Sequence, residues 1–158
     1  LSLSYGARVT VTAESKDFAE TPQGHIPLGH LAPVESREAD PAQIAALFLG
    51  TPYLWGGNSR WGIDCSGLVQ AALRACGIPC PGDSDQQEKT VGAPVSDAYQ
   101  RNDLLFWKGH VALVVDGETM IHANAHAMAV SYENIAEAIA RIEAGGDGPV
   151  TAHRRPGV

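Results

Sequence analysis

The 158-residue chain has little basic charge, few cysteines, few aromatics and no long apolar run. Eleven Lys and Arg stand against eighteen Asp and Glu, a formal net charge of −7. Gripping a nucleic-acid backbone takes clustered cations that displace counterions, and the densest basic run here is the pair Arg154-Arg155, which excludes nucleic acid as a partner. No stretch approaches the roughly 18 apolar residues of a membrane-spanning helix, and the longest, such as Val111 to Val115, have strand length, so no membrane span is expected. Cys65, Cys76 and Cys80 are odd in number and too few for a disulfide framework, which leaves at least one thiol unpaired. The chain begins on Leu1 with no basic-then-apolar leader after it, as expected where processing or design has removed what came before, and this end sets no compartment. At this length a domain buries about 68–70% of the surface of its unfolded chain, enough for a core without a staple.

What is present divides the chain by character. Residues 1–34 read as an all-β fragment: Ala7 to Thr12 alternates with period 2, and Gly6, Pro22-Gln23-Gly24, Pro27 and Gly29 mark turns. Residues 35–41 are charged and read as a linker into a helix over Ala42 to Leu49, with Asp40 as cap and Pro41 at its first position. Residues 42–158 then form the main domain. Tyr53 to Asn58 is an aromatic and then glycine-rich loop, a helix is predicted from Cys65 to Ala75 with Gly77 closing it, and a short one near Gln86 to Thr90. Leu104 to Trp107, Val111 to Val115 and Thr119 to Ala123 read as strands, Glu133 to Ala144 as a helix, and Val150 to Arg155 as a closing strand, an α+β pattern.

The chemistry concentrates in one cysteine at a helix start and two histidines on neighbouring strands. A free thiol ionises near pH 8.5, and a helix N-terminus with an adjacent His pulls that down, to about 3.5–7.5 in known cases. Cys65, between Asp64 and Ser66-Gly67, has both aids within reach, and the unsatisfied N–H groups of the helix start suit an oxyanion. Parity tests the histidines. A two-residue Asp116-Gly117 turn would set His110 and His122 on opposite faces, whereas a loop of Val115-Asp116-Gly117 pairs residues whose numbers sum to 232 and sets them directly opposite. Gly117 at the third loop position favours the second register, with both imidazoles on the sheet face that receives the Cys65 helix, His110 as general base and His122 fixing its tautomer.

Each residue has a plainer reading. A lone Cys65 is a buried inert thiol, and a lone His110 or His122 a hydrogen-bonded sheet residue. His122 and His126 are four apart, as in helical zinc pairs, but they lie on a strand pattern without the intervening Glu, so no metal and no cofactor are expected. Cys76 and Cys80 are read as packing residues, with a short-loop disulfide as the alternative. Nothing around His25, His30 and His153 outweighs exposure.

The runs Tyr53-Leu54-Trp55-Gly56-Gly57, Gly62 to Val69, Asn102 to Phe106, Gly109-His110-Val111-Ala112 and Met120-Ile121-His122-Ala123 resemble, in order and spacing, the NlpC-type bacterial cell-wall cysteine peptidases over about residues 42–155. The resemblance implies a papain-like α+β domain, with the Cys-bearing helix packed on an antiparallel sheet. It implies hydrolysis of peptidoglycan stem peptides such as L-Ala-γ-D-Glu-diamino acid, at the γ-D-glutamyl bond. By the same resemblance Cys65 is the nucleophile, His110 the base and His122 the third triad member, while Tyr53, Asp64, Ser66 and Ser84 bind substrate. Residues 1–34 are similar to part of a bacterial SH3-like domain, with Gly24-His25-Ile26-Pro27 where such domains often carry Gly-Tyr-Ile-Pro. A bacterial location follows, cytoplasmic for a recycling role or periplasmic at the cell envelope. The alternatives are a wall-peptide binding module without turnover, or an amidase or acyltransferase of the same fold.

Overall fold

The computed structural model describes residues 2–157 and divides the chain into two units between Arg37 and Glu38. In the first, strands β1 (Ala13–Glu14), β2 (Phe18–Thr21) and β3 (Gly24–Pro27) form an antiparallel meander, followed by a 3-10 turn over Leu28–His30. The alternating run Ala7 to Thr12 is not a strand, contrary to the sequence expectation. Its side chains lie almost entirely in solvent, so no buried face selects one register. Ala19 and Thr21 are the unit's buried residues, and no closed barrel forms among the described residues.

The second unit is built on a six-stranded antiparallel sheet. Helix α1 (Pro41–Ala46) is capped by Asp40, whose carboxylate accepts the Ala42 N–H, with Pro41 in its first position, as the sequence predicts. The short strands β4 (Asn58–Ser59) and β5 (Gly62–Ile63) form a separate ribbon leading into α2 (Cys65–Ala75). Helix α2 ends where expected. Gly77 takes φ +79°, its N–H reaches the Arg74 carbonyl and the Ile78 N–H reaches that of Leu73, a double closure that satisfies the last turn. Helix α3 (Ser84–Thr90), strands β6 (Ala93–Pro94), β7 (Leu104–Trp107), β8 (His110–Val114), β9 (Thr119–Asn124) and β10 (Ala129–Asn134), helix α4 (Ile135–Ala144) and strand β11 (Ala152–Arg155) complete it. The strand order is β10-β9-β8-β7-β11-β6.

Both sheet faces are buried, which is why β7, β8 and β9 read as nearly continuous apolar runs. Leu104, Phe106, Val111, Leu113, Ile121 and Ala123 pack with Ile44 and Ala45 of α1 and with Leu68, Val69, Ala72 and Leu73 of α2. The alternate residues Leu105, Trp107, Ala112, Val114 and Met120 pack with Ile135, Ala138 and Ile142 of α4. Each fully buried large aliphatic or aromatic side chain contributes about 1.5–3 kcal/mol, so the two layers fix the strand register firmly.

Beyond shifts of a few residues at element ends, such as α1 stopping at Ala46 rather than Leu49 and β11 starting at Ala152 rather than Val150, two differences from the sequence expectation bear on the site. Glu133 and Asn134 belong to β10, and α4 starts only at Ile135, because the Asn134 side chain caps it by accepting the Glu137 N–H. The β8–β9 pairs are Leu113 with Ile121 and Val114 with Met120, whose numbers sum to 234 rather than 232. The Asp116 carboxylate accepts the N–H groups of both Glu118 and Thr119, which draws Glu118 into the loop and slides the register by two. Because both sums are even, His110 and His122 still share a face, as diagonal neighbours rather than direct partners.

Candidate active site

Helix α2 places Cys65 in its first turn, where backbone N–H groups have no helical partner. The thiol is buried, and burial pushes its pKa up. The Val111 N–H of β8 pulls the other way, the charge of Asp64 adds to the rise, and the N–H groups of Ser66 and Cys65 itself again favour the thiolate. The sequence expectation of a lowered thiol pKa is therefore reversed, because desolvation outweighs the helix start. The Val111 N–H is available for a reason of topology. β8 and β9 pair only at their hairpin end, so the strand edge towards His110 is open to the sulfur.

Just before β8, Gly109 at φ +77° closes the tight turn from β7, and His110 sits opposite Trp107, with ring centroids 5.7 Å apart. His110 Nε2 lies 2.8 Å from Nδ1 of His122, which is 1% exposed. The two imidazoles thus lie side by side as expected, but strand alternation places them with Trp107 and Ala112 on the face covered by α4, not on the face that receives α2. Cys65 belongs to the α2 layer, with its sulfur at the Val111 N–H of the open edge. Burial pushes His110 down to about 3, with the charges of His122 and Arg141 adding and Glu133 opposing. Burial likewise pushes His122 down to about 4, against Glu133 and with Arg141 and His126. Both rings rest neutral near pH 7 and are free to accept a proton.

Behind His122 stand two residues that sequence reasoning missed. His122 Nε2 is 2.9 Å from Oε2 of Glu133, and Arg141 of α4 clamps that carboxylate through Nε at 2.8 Å and Nη2 at 2.8 Å. Burial opposes the charge on Glu133, but the Arg141 fork and His122 outweigh it and hold the carboxyl below its usual range.

Of the remaining predicted residues, Asp64, Ser66 and Tyr53 gather around the start of α2, and Ser84 lies on α3, which touches that start through Gln87. Asp64 caps the helix: Oδ1 accepts the Gly67 N–H at 2.7 Å and the Ser66 hydroxyl at 3.1 Å, and Oδ2 accepts the Gly56 N–H at 2.8 Å. The Tyr53 phenol is pushed up by burial and by the nearby Cys65 and Asp64, which places it beside both. Ser84 opens α3 one turn before Gln87, whose buried amide donates to the Ser66 carbonyl at 2.9 Å, so α3 braces the second residue of α2.

Residues 50–143 match the NlpC/P60 family, more than half of the chain. The chain belongs to the NlpC/P60 family. Among curated relatives it is 38% identical over 109 residues to the gamma-D-glutamyl-L-lysine dipeptidyl-peptidase of Bacillus subtilis, covering 63% of this chain and 36% of that protein. The dipeptidyl-peptidase 6 of Lysinibacillus sphaericus is 37% identical over 99 residues, covering 60% of this chain and 35% of that one. The chain thus spans about a third of these relatives. A crystal structure of an NlpC/P60 family protein from Bacillus cereus superposes with a TM-score of 0.78 at 25% identity, covering 96% of this chain and 54% of that one. The peptidoglycan hydrolase RipB of Mycobacterium tuberculosis follows at 0.61 and 28% identity, covering 73% and 62%.

In this NlpC/P60 domain Cys76 and Cys80 are free thiols. Cys80 is buried in the α2 layer, and burial pushes its pKa up to about 11, so it packs as an inert small hydrophobe. His126 lies in the turn after β9 and is not carried on a helix with His122.

Proposed function

We propose that the chain hydrolyses the γ-D-glutamyl to diamino-acid bond of peptidoglycan stem peptides, with Cys65 as nucleophile, His110 as base and His122 as orienting partner. The observation that carries this is the 2.8 Å contact between the two imidazoles, set at the open strand edge whose Val111 N–H meets the Cys65 sulfur. His110 Nε2 is taken by His122, so Nδ1 is the atom left for the thiol. Because burial favours the neutral thiol and the neutral imidazole, the proton moves from Sγ to His110 as sulfur attacks the γ-carbonyl. The N–H groups at the α2 start and the Tyr53 phenol stabilise the tetrahedral oxyanion. His110 then gives its proton to the leaving amine, and water, deprotonated by His110, releases the glutamyl product and the thiol.

Asp64, Ser66 and Ser84 form the subsite for the stem peptide's N-terminal L-alanine. A carboxylate oxygen offers two lone-pair sites, and three of the four on Asp64 are taken, so Oδ2 retains one for an ammonium. The names of the relatives, γ-D-glutamyl peptidases among them, support this bond. Residues 1–34 are read as part of a bacterial SH3-like domain, on the meander that ends in Gly24–Pro27. The test is Cys65→Ala with L-Ala-γ-D-Glu-diamino acid as substrate and mass spectrometry as readout. Cleavage is expected to vanish while the circular dichroism spectrum is kept. Wild-type turnover by the variant would remove Cys65 from the mechanism.

A further inference from the structure

We propose that Glu133, clamped by Arg141, is a positioning residue that fixes the proton arrangement of the His122–His110 pair and so leaves a lone pair on His110 Nδ1. The inference builds on the assignment of His110 as base, and it follows from counting donors. A guanidinium only donates and an ionised carboxylate only accepts. Arg141 spends two N–H groups on Glu133, at 2.8 Å each, which keeps the carboxylate charged and its oxygens aimed. Glu133 Oε2 therefore accepts from His122, and the proton of neutral His122 must sit on Nε2. That leaves Nδ1 of His122 as a bare acceptor, so the 2.8 Å contact requires His110 to donate from Nε2. Nδ1 of His110 is then unprotonated. Each assignment forces the next, from α4 through β10 and β9 to β8.

Arg141 has a second effect. An unopposed Glu133 would draw a second proton onto His122, and a charged His122 donates from Nδ1. His110 would then have to accept at Nε2 and carry its proton on Nδ1, and it would no longer be a base towards the thiol. The groups facing His122 are His110 on β8, Glu133 on β10, Arg141 on α4 and His126 in the turn after β9. Glu133 is the one anion among them, and Arg141 offsets its pull. The strength of the clamp thus balances orientation against protonation. This also accounts for the histidines lying on the α4 face, where the anchor is.

The experiment is long-range proton–nitrogen NMR of the imidazoles in the whole chain, paired with pH–rate profiles on the stem peptide, for wild type, Glu133→Gln and Arg141→Met. Wild type is expected to show both histidines protonated at Nε2 with Nδ1 bare. In Glu133→Gln, Arg141 retains the amide oxygen and the NH2 group turns to His122, so both tautomers are expected to invert. kcat should then fall about 100-fold or more, within the range a positioned base supplies, with KM changed less than threefold. In Arg141→Met the tautomers should persist at high pH, and the acid limb of kcat/KM should move up by about one pH unit. A clamp that merely ties β10 to α4 would lower the melting temperature of the variants and leave kcat, tautomers and acid limb as in wild type, which overturns the proposal. Nδ1 protonation of either ring in wild type overturns it too, even if a variant fails to fold. Because the NMR readout needs no substrate, Nε2 protons on both rings with no cleavage of stem peptide would refute the substrate assignment and leave the relay standing.

Discussion

Replacing Asp64 separates its observed role as helix cap from its proposed role as ammonium ligand. Asp64→Ala removes the acceptor of the Gly67 N–H, a cap loss of about 1 kcal/mol within a range of about 0.5–2. The Gly56 N–H lies in an exposed loop and can turn to water, so the whole cost should stay near 1–2 kcal/mol. Asparagine caps a helix about as well as aspartate and keeps an oxygen for Gly67 and Ser66, so Asp64→Asn should lose only the Gly56 bond, about 0.5 kcal/mol. What asparagine cannot supply is charge. A hydrogen bond to a charged group contributes about 1.5–3 kcal/mol, which at about 1.4 kcal/mol per decade is roughly 10- to 150-fold in kcat/KM.

The assay is a ratio: kcat/KM on the stem peptide with a free L-alanine terminus over kcat/KM on its N-acetylated form, beside urea denaturation of each variant. Asp64→Asn should be nearly as stable as wild type, with the ratio reduced by that factor. Turnover of the acetylated peptide should hold or rise, because Asp64 is one of the groups pushing the Cys65 thiol up. A ratio unchanged in Asp64→Asn, with stability lost only in Asp64→Ala, would leave Asp64 a cap and nothing more.

Two further outcomes follow from packing and charge. Gly67 is the third residue of α2, where alanine is the better helix former, but a Cβ there would stand 2.6 Å from the Gly57 carbonyl oxygen, so Gly67→Ala should destabilise by about 1–3 kcal/mol in urea titration; a stabilised variant would refute the close approach. His110 and His122 are held below their unfolded value near 6.5, at about 3 and about 4, so the unfolded chain binds more protons below pH 6.5: the stability they contribute is whole above that value and falls as pH drops towards 3, by up to about 1.4 kcal/mol per pH unit for each ring. Denaturation from pH 7 to pH 4.5 should show that slope in wild type and a shallower one in His122→Asn, and equal slopes would contradict burial of neutral rings.

How far the sequence led depends on how local each signal was. Helix α2 was legible to the residue because its start and end are written locally, by Asp64 as cap and Gly77 as a left-handed closure. The β8–β9 hairpin was half legible. Parity put the imidazoles together, but the register turned on the Asp116 side chain, whose two backbone bonds admit Glu118 to the loop. Strand β10 went unread, since its half-exposed pattern follows from pairing with β9 along its whole length rather than from any run of its own. The alternation at Ala7 to Thr12 misled for the opposite reason, a local pattern with no buried face to use it.

The site divides along the same line. Cys65, His110 and His122 announce themselves as residue types that carry nucleophilic and proton chemistry. Glu133 did not, because a glutamate just ahead of an apolar helix reads as a complement to the helix dipole, which hides its place as the last inward group of a strand. Arg141 reads as one cation on an amphipathic helix. Their meaning appears only once β9 sets His122 diagonally across from Glu133 and α4 lies over both. In the proposed mechanism the Cys65 thiol of the α2 layer and the His110 imidazole of the α4 face act across one sheet, which needs the strand pair between them to part. The same opening that frees the Val111 N–H for the sulfur leaves His110 without β9 backbone beside it, so its ring depends on side chains for its aim. The His122–Glu133–Arg141 chain meets that ring from the α4 side, the layer opposite the one that holds Cys65.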